Sequence, residues 1–265
     1  MHYELHGRPE PDAPTLVLCS GLGGAGAFWT PQLPALIDDY RVLVYDQRGT
    51  GKSPAQIPEG YSIEAMAREL IELLDAVGIA RCHFVGHALG GLVGLQIALM
   101  RPQLLQSQVL VNAWSSPNPH SARCFAVRTH LLRDSGPAAF VQAQALFLYP
   151  PTWIAENSQR LARDDAHALA HFPGQDNVLR RIGALLAFDI EDRLASITTP
   201  TLLIANRDDM LVPWTRSQHL ADRLPDARLE LLDHGGHASS VSDTPTFNRI
   251  LLEHLARQRD PATAA

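Results

Sequence analysis

Short apolar runs along this chain alternate with longer segments whose apolar positions recur every three or four residues. The runs are TLVLCSG (15–21), RVLVYDQRG (41–49), CHFVGHA (82–88), QVLVNA (108–113), TLLIANRDD (201–209) and ARLELLD (227–233). Continuous runs of this kind predict strands covered on both faces, as in a parallel sheet. The opening HYELHG predicts an added edge strand. Between the runs, SIEAMARELIELLDAVGI (62–79) predicts a helix, with Ser62 as N-cap, Ile63, Met66, Leu70, Leu73, Leu74 and Val77 on its apolar face, and Gly78 at its end. A second helix is predicted over 89–100, stopped by Arg101-Pro102, and a last one from Thr244, with Pro245 at its first helical position. Repeated strand–helix alternation implies right-handed crossovers and a three-layer α/β sandwich.

The rhythm breaks between residue 115 and about residue 190, where RCFAVRTHLLRD, AAFVQAQALF, AENSQRLARDDAHALAHF and NVLRRIGALLAFD are helical patterns with no convincing strand among them. This interval predicts a helical cap inserted after the sixth sheet strand. The expected organisation is a core of residues 1–114 and 191–260, a cap of residues 115–190 and a tail of residues 261–265, within the disordered stretch RDPATAA.

Composition narrows the function classes. A length of 265 residues with 46% hydrophobic content suits one large domain, or a core with an insertion. The net charge of −6 is spread over interspersed signs, with no basic stripe for nucleic acid. No apolar run nears the roughly 18 residues of a membrane span. MHYELHGRPEPDAP lacks the basic and apolar regions of a secretory signal, so a cytoplasmic protein is expected. Cys19, Cys82 and Cys124 form no C-x-x-C pair and read as reduced, buried thiols. No cofactor or metal is predicted. Asp164, Asp165, His167 and His171 have helical spacing but lack the H-E-x-x-H pattern of a zinc site, and read as a solvated cap helix.

The remaining signals cluster at predicted strand ends, where open parallel sheets gather ligands. Gly86-His87-Ala88-Leu89-Gly90 has the strand–turn–helix layout of a nucleophile elbow, G-x-S-x-G, with Ala88 where a hydroxyl or thiol should stand. Asp208-Asp209 follows one later strand, and Gly235-Gly236-His237 follows the next. Elbow, acid and histidine come in the order of an α/β-hydrolase. His237 is the expected general base, with His234 as fallback. Asp209 is the expected orienting acid, with Asp208 as alternative. Ser20-Gly21-Leu22-Gly23-Gly24 ends the first long run, and the backbone N–H groups of Leu22 and Leu89 are expected to form an oxyanion hole.

The chain resembles the α/β-hydrolase superfamily. SGLGGAGAFW, YDQRGTGKSP, VGHALGGLVG, QALFLYPPTW, DDAHALAHFPGQDN and NRDDMLVP more specifically resemble the hydrolase family of the Rut pathway of pyrimidine degradation. The resemblance covers nearly the whole chain, and that family is similar in having alanine at the elbow. It departs from the superfamily in carrying Ser20-Gly21 where His-Gly is common, which matters little to a hole built from backbone groups. Asp46-Gln47-Arg48-Gly49-Thr50-Gly51 resembles a superfamily turn, in which Arg48 either pairs with Asp46 or meets an anionic substrate. Phe147, Tyr149, Trp153 and Phe172 are candidates equally for pocket lining and for cap core.

A methyl group cannot attack, so covalent catalysis at Ala88 is excluded; Ser20, Ser239 and Ser240 are poorly placed substitutes. An oxyanion hole and a His–Asp pair still accelerate hydrolysis by roughly 10³–10⁴ over water. The resemblance implies a small, labile anionic substrate late in uracil breakdown: carbamate, giving carbon dioxide and ammonia, or aminoacrylate, giving malonic semialdehyde and ammonia. Two rivals stand: a serine esterase or amidase whose nucleophile was replaced at position 88, and a hydrolase-fold binding protein without turnover. The sequence leaves open monomer against homodimer.

Overall fold

The structure is a computed structural model that describes residues 1–10 and 12–259; the expected tail of residues 261–265 lies outside them. Seven strands form one sheet: β1 (Tyr3–Gly7), β2 (Thr15–Cys19), β3 (Arg41–Tyr45), β4 (Cys82–His87), β5 (Leu105–Val111), β6 (Thr201–Asn206) and β7 (Ala227–Leu232). Their order across the sheet is β1-β3-β2-β4-β5-β6-β7. Only β1 runs antiparallel, pairing with β3 at the edge. Eleven α-helices are described: α1 (Leu33–Leu36), α2 (Ile63–Ala76), α3 (Leu89–Met100), α4 (Pro119–His130), α5 (Gly136–Leu148), α6 (Pro151–Glu156), α7 (Ser158–Ala170), α8 (Gln175–Ala187), α9 (Thr215–Arg223), α10 (Ser239–Ser242) and α11 (Thr244–Arg259).

Side chains alternate across the pleat, and the two sheet faces bury separate cores. Leu16, Leu18, Val42, Val44, Val85, Val109 and Ile204 pack with Trp29 and with Phe247, Leu251 and Leu255 of α11. Val17, Cys19, Leu43, Phe84, Leu110 and Leu203 pack with Leu70 and Leu74 of α2, Leu92 of α3 and Leu220 of α9. Both faces are therefore covered, which is why these strands read as continuous apolar runs. α2 begins as expected: the Ser62 hydroxyl accepts from the Ala65 N–H at 3.1 Å, and Ile63, Met66, Leu70, Leu73 and Leu74 are buried.

All of α4–α8, with a π-helical turn at Leu131–Ser135, lie between β5 and β6, and that interval has no strand. It leaves the sheet after the fifth strand in chain order, not the sixth, because a single strand precedes β2. Ile190 N–H returns to the Ser115 carbonyl at 3.1 Å, and the Ser115 hydroxyl donates to Glu191 at 2.6 Å, so the excursion opens and closes at one place. No helix of the described residues is long and apolar enough to cross a membrane. The three cysteines are unpaired and buried, and burial pushes the Cys19 and Cys82 thiols up to about 12.

Candidate active site

The elbow is present in full backbone detail. β4 ends at His87, α3 starts at Leu89, and Ala88 between them has φ 48° and ψ −110°. A non-glycine residue with positive φ is strained and persists only where its surroundings enforce it. Here the Ala88 N–H donates to the Val111 carbonyl of β5 at 2.8 Å, and the Ala88 carbonyl accepts from Gly91 at 2.8 Å. The flanking glycines serve close approach: a Cβ on Gly86 would lie 2.3 Å from the Gly90 carbonyl oxygen, and one on Gly90 would lie 2.2 Å from that of Cys19.

Three loops converge on this turn. The Ser20–Gly24 loop leaves β2 beside it; a Cβ on Gly21 would lie 2.9 Å from His87 Nδ1 and 3.6 Å from the Ala88 methyl. After β7, Gly235 and Gly236 turn with φ of 132° and 67° and deliver His237, whose ring centroid is 4.8 Å from that of His87. After β6 comes Asp209, whose Oδ2 accepts from His237 Nδ1 at 2.7 Å. Its other oxygen accepts from the N–H groups of Leu211 at 2.7 Å and Val212 at 2.9 Å. The carboxylate is thus fixed by backbone donors and holds the imidazole in turn. A carboxylate oxygen at this place favours the tautomer with the proton on Nδ1, so the neutral ring turns its Nε2 lone pair away from Asp209. His237 is 2% exposed and the Asp209 side chain is fully enclosed.

Strand, turn and helix at Ala88, then an acid after β6, then a histidine after β7, is an arrangement shared with a large protein family. The family model for the alpha/beta hydrolase fold matches residues 14–244. The chain belongs to the α/β-hydrolase family. Within it, a protein of Stutzerimonas stutzeri named "Putative carbamate hydrolase RutD" is 77% identical over 265 residues, covering 100% of both chains. One of the same name from Pseudomonas savastanoi is 67% identical, covering 97% of this chain and 100% of its own. Among solved structures, the enol-lactonase from Burkholderia xenovorans superposes with a TM-score of 0.87 at 26% identity, covering 96% of each chain. The chain is an α/β-hydrolase of RutD type.

Other side chains of this hydrolase fall into place around the pair. Asp208 is exposed and accepts from the Gly235 and Gly236 N–H groups at 3.1 and 2.9 Å, so it pins the glycine turn while Asp209 meets the ring. His234 is exposed, and its carbonyl is held by the Asn206 amide at 2.7 Å. The His237 carbonyl accepts from both His87 Nε2 at 2.8 Å and the Asn112 amide at 2.7 Å. Neither His87 nor Asn112 was singled out by sequence reasoning. His87 sits inside the elbow phrase, and Asn112, at φ 52°, directly follows β5. Burial pushes the His87 pKa down to about 3, helped by His237, so His87 is a neutral donor.

Arg181 of α8 was likewise missed. It is 1% exposed and donates from Nε to the Leu22 carbonyl at 3.0 Å and from Nη2 to Gln47 Oε1 at 2.6 Å. Gln47 in turn donates to the Ser20 carbonyl at 2.7 Å. A helix of the inserted segment therefore grips the loop that carries the Leu22 N–H. Leu89 opens α3, so its N–H has no acceptor within the helix.

Arg48 pairs with Glu69 at 3.7 Å on the surface, not with Asp46, which instead accepts from Gly26 N–H at 2.8 Å and Lys52 N–H at 2.7 Å. Asp164 and His167 on α7, and His171 at its C-cap, are exposed, and among the described residues no group of His, Cys, Asp and Glu is set to hold a metal. Tyr149 and Trp153 stack on one another at 4.2 Å, while Phe172 meets Phe140 at 6.3 Å and Phe147 packs against the core. Ser20, Ser239 and Ser240 are buried with unpartnered hydroxyls, and none hydrogen-bonds His237. The His–Asp pair lines neither of two surface depressions, one along Gln56 and Gly174–Asn177 and one beside Arg48 and Glu69.

Proposed function

We propose that this hydrolase cleaves the C–N bond of a small, labile anion, carbamate or 3-aminoacrylate, late in pyrimidine catabolism in the cytoplasm. It does so by activating water and forms no covalent intermediate. The observation that carries this reading is the intact, enclosed His237–Asp209 pair beside an elbow whose central residue, Ala88, offers only a methyl group. The names borne by the relatives agree with a carbamate substrate.

In the proposed reaction, water beside the Ala88 methyl gives a proton to His237 Nε2 as its oxygen bonds to the substrate carbon. The imidazolium is stabilised by Asp209. Charge growing on the substrate oxygen faces the N–H groups of Leu22 and Leu89. His237 then passes its proton to the departing nitrogen, so carbamate and one water give ammonia and bicarbonate, the hydrated form of carbon dioxide. Aminoacrylate first takes a solvent proton at its middle carbon; water then adds to the carbon bearing nitrogen as His237 takes its proton, and ammonia leaves carrying that proton while the new hydroxyl becomes the aldehyde and returns the borrowed proton to solvent. The helices of residues 115–190 act as the cap that keeps bulk water from the pair. Both candidate substrates also decompose unaided, so a few kcal/mol of barrier lowering suffices, at about 1.4 kcal/mol per tenfold.

The test is ammonia release from carbamate and from freshly generated aminoacrylate. His237→Ala is expected to cost about 10²–10³ in kcat/KM, and equal rates for parent and variant would remove the base from the mechanism. Ala88→Ser separates the esterase reading: broad, strong esterase activity in that variant would favour a lost serine nucleophile over water activation. An unaltered protein that leaves ammonia release at the spontaneous rate across pH would remove water activation, and Ala88→Ser would then decide between the esterase and binding-protein readings.

A further inference from the structure

Arg128, on α4 within the inserted segment, is a cation without a counter-charge. It is 2% exposed. Its guanidinium carbon lies 5.4, 5.3 and 5.5 Å from the ring centroids of Phe125, Phe140 and Phe147. The one hydrogen bond of the group runs from Nη2 to the neutral Gln144 Oε1 at 2.6 Å, and Nε is buried with no acceptor. Among the described residues no carboxylate reaches it; the ionisable neighbour is the Cys124 thiol, and burial lowers the Arg128 pKa to about 10. A guanidinium taken out of water costs several kcal/mol unless paired. Aromatic faces return part of that cost but satisfy no N–H donor.

The position of Arg128 ties it to the catalytic loops from two sides. One turn earlier on α4, Cys124 Sγ lies 3.7 Å from the Met210 carbonyl, directly after Asp209. On the other side, Phe147 precedes Leu148, whose carbonyl accepts the Ala238 N–H at 3.0 Å, directly after His237. The arginine thus stands in the cap between the segments that carry the acid and the base. A planar carboxylate is the natural complement of its unfilled donors, since guanidinium and carboxylate match in shape as well as charge.

We infer that Arg128 is the substrate-carboxylate anchor of this hydrolase, a binding subsite for small planar monocarboxylates that leaves the far, nitrogen-bearing end of the molecule to His237. Of the two proposed substrates only aminoacrylate has a carboxylate apart from the carbon that water attacks, so it is the molecule so held, and that identity rests on the proposed function. The anion preference does not, and it is tested without turnover. The probes are propionate and its uncharged isostere propionamide, followed by titration calorimetry and by thermal stabilisation of the unaltered protein. Propionate is expected to bind at least about tenfold more tightly than propionamide. Arg128→Met, verified as folded by circular dichroism, is expected to lose about tenfold in propionate affinity, with Arg128→Lys between it and the parent. Equal affinity for the two probes, no propionate binding, or an Arg128→Met variant that binds propionate like the parent would each overturn the inference, and the first two need no variant to fold. Loss of propionate binding in Arg128→Met together with no ammonia release from either substrate would refute the proposed reaction and leave the carboxylate site standing.

Discussion

Ala88 is held at φ 48° in a turn that ordinarily exists to raise a reactive hydroxyl. Here the strained position presents only a methyl group. What enforces it is close contact among backbones, visible at Gly86 and Gly90, where an added Cβ would fall 2.3 and 2.2 Å from carbonyl oxygens. Gly90→Ala should therefore cost about 3 kcal/mol or prevent folding, because the obstructing atoms are main chain and cannot rotate away. Ala88→Gly should do the opposite. Relief of about 1–3 kcal/mol of backbone strain outweighs the added freedom of the unfolded chain, for a net gain of about 1 kcal/mol. Urea unfolding of the two variants reads both numbers, and a destabilised Ala88→Gly would show that the turn is relaxed with alanine in place. The same turn could be read in the letters before any coordinates, since two glycines two residues either side of a strained position announce it. The second donor to the His237 carbonyl could not. Asn112 lies 125 residues from His237, and an asparagine at the end of a strand has many uses.

At the scale of elements, the grip of α8 on the Leu22 loop is one of the contacts that join the inserted segment to the core. Arg181→Met would strand the Leu22 carbonyl and Gln47 Oε1 among buried groups, at a cost of about 2–4 kcal/mol. It would also free the loop, so amide exchange at Leu22 and Gly23 is expected to quicken while exchange within β4 stays slow; unchanged exchange at the loop would mean that its own turn holds it. The elements themselves were largely legible. Continuous apolar runs, buried on both faces, marked the strands, and Ser62 and Gly78 bounded α2. The helical character of residues 119–187 also followed from spacing. What spacing cannot supply is which surface a helix meets. Arg181 sits in NVLRRIGALLAFD beside Arg180, and nothing local says that one is 1% exposed and 134 residues from its partner Gln47. Arg48 failed for the same reason, since its partner Glu69 belongs to α2 and the nearer Asp46 is taken by backbone N–H groups.

Across the whole molecule, acid stability is set in part by two histidines kept neutral. Burial pushes His87 and His254 each down to about 3 from an ordinary value of 6.5. His87 lies between the elbow and the His237 loop, and His254 lies on α11 against the sheet. In the unfolded chain both take a proton near pH 6.5, whereas in the folded chain neither does until far lower pH. The unfolded state then binds more protons over that window, so stability is fully present above about pH 6.5 and falls as the solution is acidified toward pH 3. Two such groups give a slope of up to about 2.7 kcal/mol per pH unit, steep enough to consume a typical 5–15 kcal/mol within the window. Unfolding should therefore begin near pH 5, before most carboxylates are protonated. The two sites can be separated, because His254 Nε2 is buried without a partner and its ring can be replaced by an apolar one without stranding that atom. His254→Leu is expected to halve the slope between pH 6 and 4.5 and leave the activity of the His237–Asp209 pair intact, since α11 lies on the opposite face of the sheet from α3. Urea midpoints collected through that range give the answer directly: a slope that does not change in the variant would assign the acid sensitivity to other groups.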